Sequence, residues 1–154
     1  MKTMTALFGL LMTGTLIAWT PSHKADEPKT IDAKELREVL NSMEAKVSEE
    51  KDGEGKTYWL ANSKDDVTFL VFQYGGKGDV ATSISASAPF KAEVNLAELN
   101  EWNSSHRFVK AFGSDKGVML EADLDVSVAP SKAVVKKFLT DFLKVAKQYK
   151  GDGE

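Results

Sequence analysis

Three carboxylates, Glu121, Asp123 and Asp125, stand at alternate positions of one short stretch. On an extended strand that spacing turns all three to one face, with neighbours about 7 Å apart. Such a row can attract a cation or a basic peptide. The plainer reading is the solvated side of an antiparallel sheet, and the spacing favours it. Calcium ordinarily draws more oxygen ligands, often from a loop. Lys110 is placed to pair with the row if the intervening turn sets it on the same face.

Catalytic sets are short of parts. The sequence has no cysteine and two histidines, His23 and His106. Thiol catalysis and Cys-ligated zinc are therefore excluded, and the two histidines fall short of a zinc site. A hydrolase would need His106 as its base, beside Ser104 or Ser105. Adjacent residues rarely present a nucleophile and a base to each other, and the chain has no Gly-x-Ser-x-Gly elbow. Gly75-Gly-Lys-Gly78 lacks the Gly-Lys-Ser/Thr ending of a phosphate-binding loop. The expectation is a chain that is not an enzyme and that takes no cofactor and no metal.

These residues sit in a chain of 154, a length that suits one domain. Apolar residues make up 42% and charged residues 28%, the values of an ordinary globular domain. The formal net charge is −3. Lys2 and Lys24 are the only charged side chains among residues 1–25, so the remainder sets 18 basic against 23 acidic groups, or −5. That balance argues against a nucleic-acid partner, which calls for a basic surplus.

The N-terminus reads as an address. One lysine precedes an apolar run from Ala6 to Trp19, 14 residues long. A membrane-spanning helix needs about 20, so the run fits the apolar middle of a secretory signal. A linker rich in Pro, Lys and Asp follows, from Pro21 to Pro28. We expect residues 1–25 to be signal peptide and linker, a domain over 29–150 and a tail over 151–154. The expected location is periplasmic, with no stable membrane association after cleavage. An anchor made of the uncleaved signal is the alternative.

Hydrophobic periodicity then predicts the elements. Helix one starts near Thr30, with Asp32 and Glu35 spaced as a capping box and Leu36, Val39, Leu40 and Met43 at helical intervals. A period of two follows: a strand from Ala45, a turn at Asp52–Gly55, a strand over Lys56–Ala61, a turn over Asn62–Asp66 and a strand over Val67–Tyr74. The last of these is apolar enough to be central and partly covered on both faces. Val80–Ala88 alternates, with Ser83, Ser85 and Ser87 on one side. Helix two starts after Asn95 with Leu96, Leu99 and Trp102 as its buried stripe. Arg107–Phe112 and Val118–Val126 form a hairpin about Gly113–Gly117. A last helix, capped by Ser131, runs to about Tyr149. The order is α-β-β-β-β-α-β-β-α. The predicted class is α+β, an antiparallel sheet with packed helices.

One stretch looks familiar. Leu99 to Phe112 carries Trp102-Asn103 at a helix end and Arg107-Phe108 four residues later, at the expected start of a strand. This resembles the signature of the YbjN family. The turn Ser114–Gly117, the strand Leu120–Leu124 and the element order over residues 30–149 are also similar. Where the family often has a glycine pair, this chain reads Ser127-Val-Ala-Pro130. The resemblance implies a fold like the chaperones of type III secretion, one that commonly dimerises and binds partner polypeptides. It implies a regulator rather than a catalyst.

Trp102, Asn103, Arg107 and Phe108 are thus the candidate partner-binding or motif residues. The spacing of Trp102 with Leu96 and Leu99 favours core over ligand platform. Asn103 reads as a cap of the helix end, and Arg107 as a brace to Asn103, to a helix carboxylate or to a partner's acid. The last helix carries Lys132, Lys136, Lys137, Lys144, Lys147 and Lys150 against Asp141. That is a solvated face first and a membrane or acidic-partner surface second. Val134 and Leu143 widen its apolar surface and suggest a second contact, such as a homodimer partner. Two functions stay open: a binding module for a protein or peptide, and a sensor of a small molecule or cation.

Overall fold

The computed structural model describes residues 31–75, 81–128 and 131–152, with side chains as far as Lys150. The expected signal and linker, residue 80 of the fourth predicted strand and residues 153–154 of the expected tail lie outside the described residues, whereas 151 and 152 continue the last helix.

Among the described residues nine elements follow in the predicted order: α1 (Ala33–Asn41), β1 (Lys46–Lys51), β2 (Thr57–Asn62), β3 (Thr68–Tyr74), β4 (Ser83–Phe90), α2 (Leu96–Ser105), β5 (Lys110–Ser114), β6 (Gly117–Asp125) and α3 (Lys132–Asp152). The fold is α+β. All six strands join one antiparallel sheet in the order β1-β2-β3-β4-β6-β5. The first four form the expected meander. The chain then leaves the sheet through α2, and the β5–β6 hairpin returns with β6 beside β4.

Local chemistry sets the element ends. The capping box forms: Asp32 accepts from the Glu35 N–H at 2.7 Å, and the Glu35 carboxylate accepts from the Asp32 N–H. In the β1–β2 turn the Asp52 carboxylate accepts from the N–H groups of Glu54 and Lys56. Gly117 closes the β5–β6 turn at φ 126°, a conformation that disfavours any Cβ.

The core lies between the sheet and the helices. Phe69 and Val71 of β3, Ile84 and Ala86 of β4 and Leu120 of β6 are fully buried on one sheet face. Against them pack Leu36 and Leu40 of α1 and Val135, Leu139, Phe142 and Ala146 of α3, all nearly or fully buried. The α3 positions recur at helical spacing, so one stripe faces the sheet. Leu143 is also buried, at 9% exposure. This corrects the expectation that it extends an outward apolar surface; the stripe is wide enough to draw it into the core. Val134, at 49%, does face out.

β3 is central, as expected. Its second face is only partly covered: Leu70 and Phe72 are half-buried and Tyr74 is exposed. The shelter there comes from neighbouring side chains in the sheet. Among the described residues, all three helices lie on the opposite side.

Candidate functional site

The corner between α2 and β5 gathers the motif residues. Asn95 caps α2 by accepting from the Ala97 N–H. Helix α2 lies at an outer end of the sheet, against β5 and the end of α3, so few of its positions reach the core. Leu99 is 6% exposed but Leu96 is 71% exposed, which removes Leu96 from the predicted stripe. Trp102 is half-buried. Its ring lies flat on His106, with centroids 3.6 Å apart, and meets Tyr149 edge-on at 4.9 Å.

Asn103 is not the expected cap, because α2 runs on to Ser105 and His106 stands at its C-cap. The Asn103 Oδ1 accepts from the Ala111 N–H and its Nδ2 donates to the Ala111 carbonyl, both at 2.8 Å. The side chain thus pairs with β5 as a neighbouring strand would. This fixes where pairing starts, and β5 begins at Lys110 rather than at Arg107. Arg107 and Phe108 fall in a bend before the strand, and Phe108 is 87% exposed. The expected Arg107–Asn103 bridge is replaced, because Ala111 engages both polar atoms of the carboxamide.

Ser105 Oγ lies 3.0 Å from His106 Nδ1, but it also donates to the Trp102 carbonyl at 2.9 Å. That same carbonyl faces His106 Nδ1 at 3.1 Å. With its hydroxyl proton given to the Trp102 carbonyl, Ser105 does not donate to the ring.

On the sheet face away from the helices, the register lines up three kinds of residue. Phe72 of β3 stands opposite Ser85 of β4, which stands opposite Asp123 of β6. The rows on either side run Leu70, Ser87, Glu121, Lys110 and Tyr74, Ser83, Asp125. Glu121, Asp123 and Asp125 therefore do share a face, and Lys110 is on it. Tyr58 and Leu60 of β2 extend the β3 row outward. The rings of Tyr58, Phe72 and Tyr74 stack in sequence at 5.2 and 6.1 Å. The two rows feel each other: burial raises the Tyr74 hydroxyl pKa, and the charges of Glu121 and Asp123 raise it further. Asp125 is held below the usual carboxylate range by the Ser127 hydroxyl and N–H. The carboxylates stand side by side along a strand and do not converge. Among the described residues no three metal-ligating side chains are grouped to hold an ion.

A cleft of about 940 Å³ opens beside the corner, between the β4–α2 connection and α2. Lys91, Glu93, Asn95, Glu98, Trp102 and Tyr149 are among its walls. The Trp102 indole N–H is buried without a hydrogen-bond partner. The Trp59 indole N–H, deep in the core, is in the same state, so neither donor by itself marks a site.

Trp102-Asn103, the following bend and the strand order now stand together in space. The family model that matches the chain, over residues 32–151, is YbjN, described as "Putative bacterial sensory transduction regulator". The chain belongs to the YbjN family. No curated protein matches it.

The basic helix of this YbjN-family chain is largely occupied within the domain. Lys132 pairs with Glu38 at 2.6 Å and Glu35 at 3.7 Å, Lys136 donates to the Ser42 carbonyl, and Lys137 and Lys144 flank Asp141. Lys147 pairs with Asp65, and Lys150 with Asp66. The Lys132 and Lys136 contacts clip α3 to α1, those of Lys147 and Lys150 clip it to the β2–β3 turn, and those of Asp141 lie within the helix. They favour a brace over a surface held ready for acidic partners. Among the described residues no helix is long and apolar enough to cross a membrane.

The aromatic row of Tyr58, Phe72 and Tyr74 is the part of this surface that sequence reasoning missed. The alternation around it was visible. Its extent was not, because a run as apolar as Thr68–Tyr74 reads as at least partly covered on both sides and does not say which rings stay open.

Proposed function

We propose that this chain is an exported, non-catalytic regulatory module that engages a protein or peptide partner on the helix-free face of its sheet. The observation that carries the reading is the row Tyr58, Leu60, Leu70, Phe72 and Tyr74, half-buried or exposed with no described element over it. Large apolar surface left open in a folded domain marks a contact site. The family's description as a regulator supports a role through binding rather than turnover.

The test is site-specific photo-cross-linking of the full chain in its native cell. A cross-linking residue replaces Tyr74, and as a control Lys34, on the exposed side of α1. A defined protein adduct from position 74 and none from position 34 is expected. Equal labelling at both, or none at 74, overturns the reading. A second copy of this chain as the adduct would identify a homodimer. The same sample tests export: a recovered N-terminus at His23 or Asp26 supports it, and an intact Met1 overturns it.

A small-molecule sensor is the second reading, favoured by the cleft beside Trp102. A ligand at 100 times its Kd adds about 2.7 kcal/mol of stability. Metabolite panels that leave the melting temperature unmoved would remove this reading.

A further inference from the structure

We infer that the segment taken by the helix-free sheet face is a basic amphipathic helix of a partner protein, with its apolar stripe on the β3 row and its cations over Glu121, Asp123 and Asp125. The inference rests on the binding-module reading and names the chemistry of the occupant.

The spacing fits. The β3 and β6 rows are two strand intervals apart, about 10 Å. An α-helix with its side chains is about 10–12 Å across. Between the rows stand Ser83, Ser85 and Ser87, and Ser85 and Ser87 are 2% and 6% exposed, so side chains of the two flanking rows close over them and form the surface that a partner meets. A helix laid along β4 would therefore touch both rows at once. It would use side chains alone, since this face offers no free backbone. An added strand would need an edge. The β1 edge carries Lys46, Glu49, Glu50 and Lys51, the charged kind that discourages pairing, and the start of β5 is held by Asn103.

The charge fits as well. The lysines of α3 have partners within the domain, whereas Glu121, Asp123 and Asp125 enter no ion pair among the described residues. Lys110 alone stands opposite one of them, Glu121. Cationic side chains reaching from the flank of a docked helix would meet carboxylates whose field already extends to Tyr74. The net charge of −5 after residue 25 adds long-range attraction for a basic segment. A second copy fits poorly. Face-to-face pairing would press its carboxylate row onto this apolar row or onto this carboxylate row, and either arrangement buries unpaired charge.

The experiment measures fluorescence anisotropy with the full chain. The probes are a labelled helical peptide of leucine and lysine and its twin with every lysine changed to glutamate. The basic peptide should bind at least about tenfold tighter than the acidic one and weaken as salt is raised. The double variant Glu121→Gln, Asp123→Asn should lower its affinity about tenfold, while Glu101→Gln, Asp115→Asn, an equal charge change elsewhere, leaves it within about twofold. Tyr74→Ser should weaken it too. If both double variants act alike, the peptide is responding to net charge and the inference falls. If both peptides bind equally and Tyr74→Ser releases both, the face is a docking site without the charge preference: the inference falls and the binding-module reading stands. If neither peptide binds, the inference falls, and the cross-link at position 74 decides the broader reading by itself.

Discussion

Asn103 and Ala111 are joined as two residues of neighbouring strands would be, the carboxamide of one exchanging both hydrogen bonds with the backbone of the other at 2.8 Å. This contact ties the last turn of α2 to β5 at the edge of the sheet. Asn103→Ala removes both bonds and should destabilise the domain by about 1–2 kcal/mol, since each net hydrogen bond contributes about 1 kcal/mol. Asn103→Asp should cost a similar amount at neutral pH, where a carboxylate would face the Ala111 carbonyl. Part of that loss should return in acid, when the carboxyl regains a proton to donate. Denaturant unfolding of both variants at two pH values checks this.

Gly117 should tolerate no side chain. Its φ of 126° disfavours L-residues, and a Cβ there would stand 2.3 Å from the Phe90 carbonyl oxygen. That obstacle is backbone and cannot swing aside. Gly117→Ala should cost on the order of 3 kcal/mol. Gly53 has neither constraint, with nothing within 4 Å of a Cβ and a φ in the ordinary range. Gly53→Ala should lie within about 0.5 kcal/mol of wild type. Thermal unfolding of the two variants measures the contrast.

The elements were legible because local signals agreed. The Asp32–Glu35 box, the Asp52–Gly55 turn and the α3 stripe each depend on neighbours within a few residues, and each is where the sequence places it. The misreadings were tertiary. Leu96 is apolar at the right spacing but lies on a helix at the rim of the sheet, beyond the reach of the core. Leu143 looks surplus until the width of the sheet beneath α3 is known. Asn103 reads as a cap because nothing local announces a partner eight residues on. The carboxylate row followed from a period of two, whereas its aromatic companions required the register across four strands.

The ion pairs of α3 should make stability depend on pH at both extremes. The hydrogen bond from Lys132 holds Glu38 below its ordinary carboxylate range, and the bond to Glu38 raises Lys132. Asp65 and Asp141 are lowered in the same way by Lys147 and Lys137. Carboxylates with depressed folded values contribute stability above their unfolded values, and lose it as pH falls through the folded ones. Lys132 contributes below its unfolded value and loses that as pH rises through its raised one. In Lys132→Met the melting temperature should fall slightly at neutral pH. The gap from wild type should shrink below about pH 4 and at high salt, because these pairs are exposed and screened. A gap that stays constant across that range would show that lost packing, not charge, is responsible.

Leu143 and Val134 give the sharpest separation of core from surface on α3. Both are apolar, and both extend beyond the main stripe. Leu143 is 9% exposed and packed into the core cluster, whereas Val134 is 49% exposed. Truncating a buried leucine loses its transfer free energy and leaves a cavity, so Leu143→Ala should cost about 3 kcal/mol. Val134→Ala in a monomer should change stability by less than about 0.5 kcal/mol. The part of the dimer expectation drawn from α3 rested on these two residues together and now rests on Val134. Unfolding of both variants at two protein concentrations separates the cases. If Val134→Ala destabilises only at the higher concentration, that residue is covered by a second copy. Independence of concentration leaves it on a free surface, and assigns any self-association to another part of the molecule.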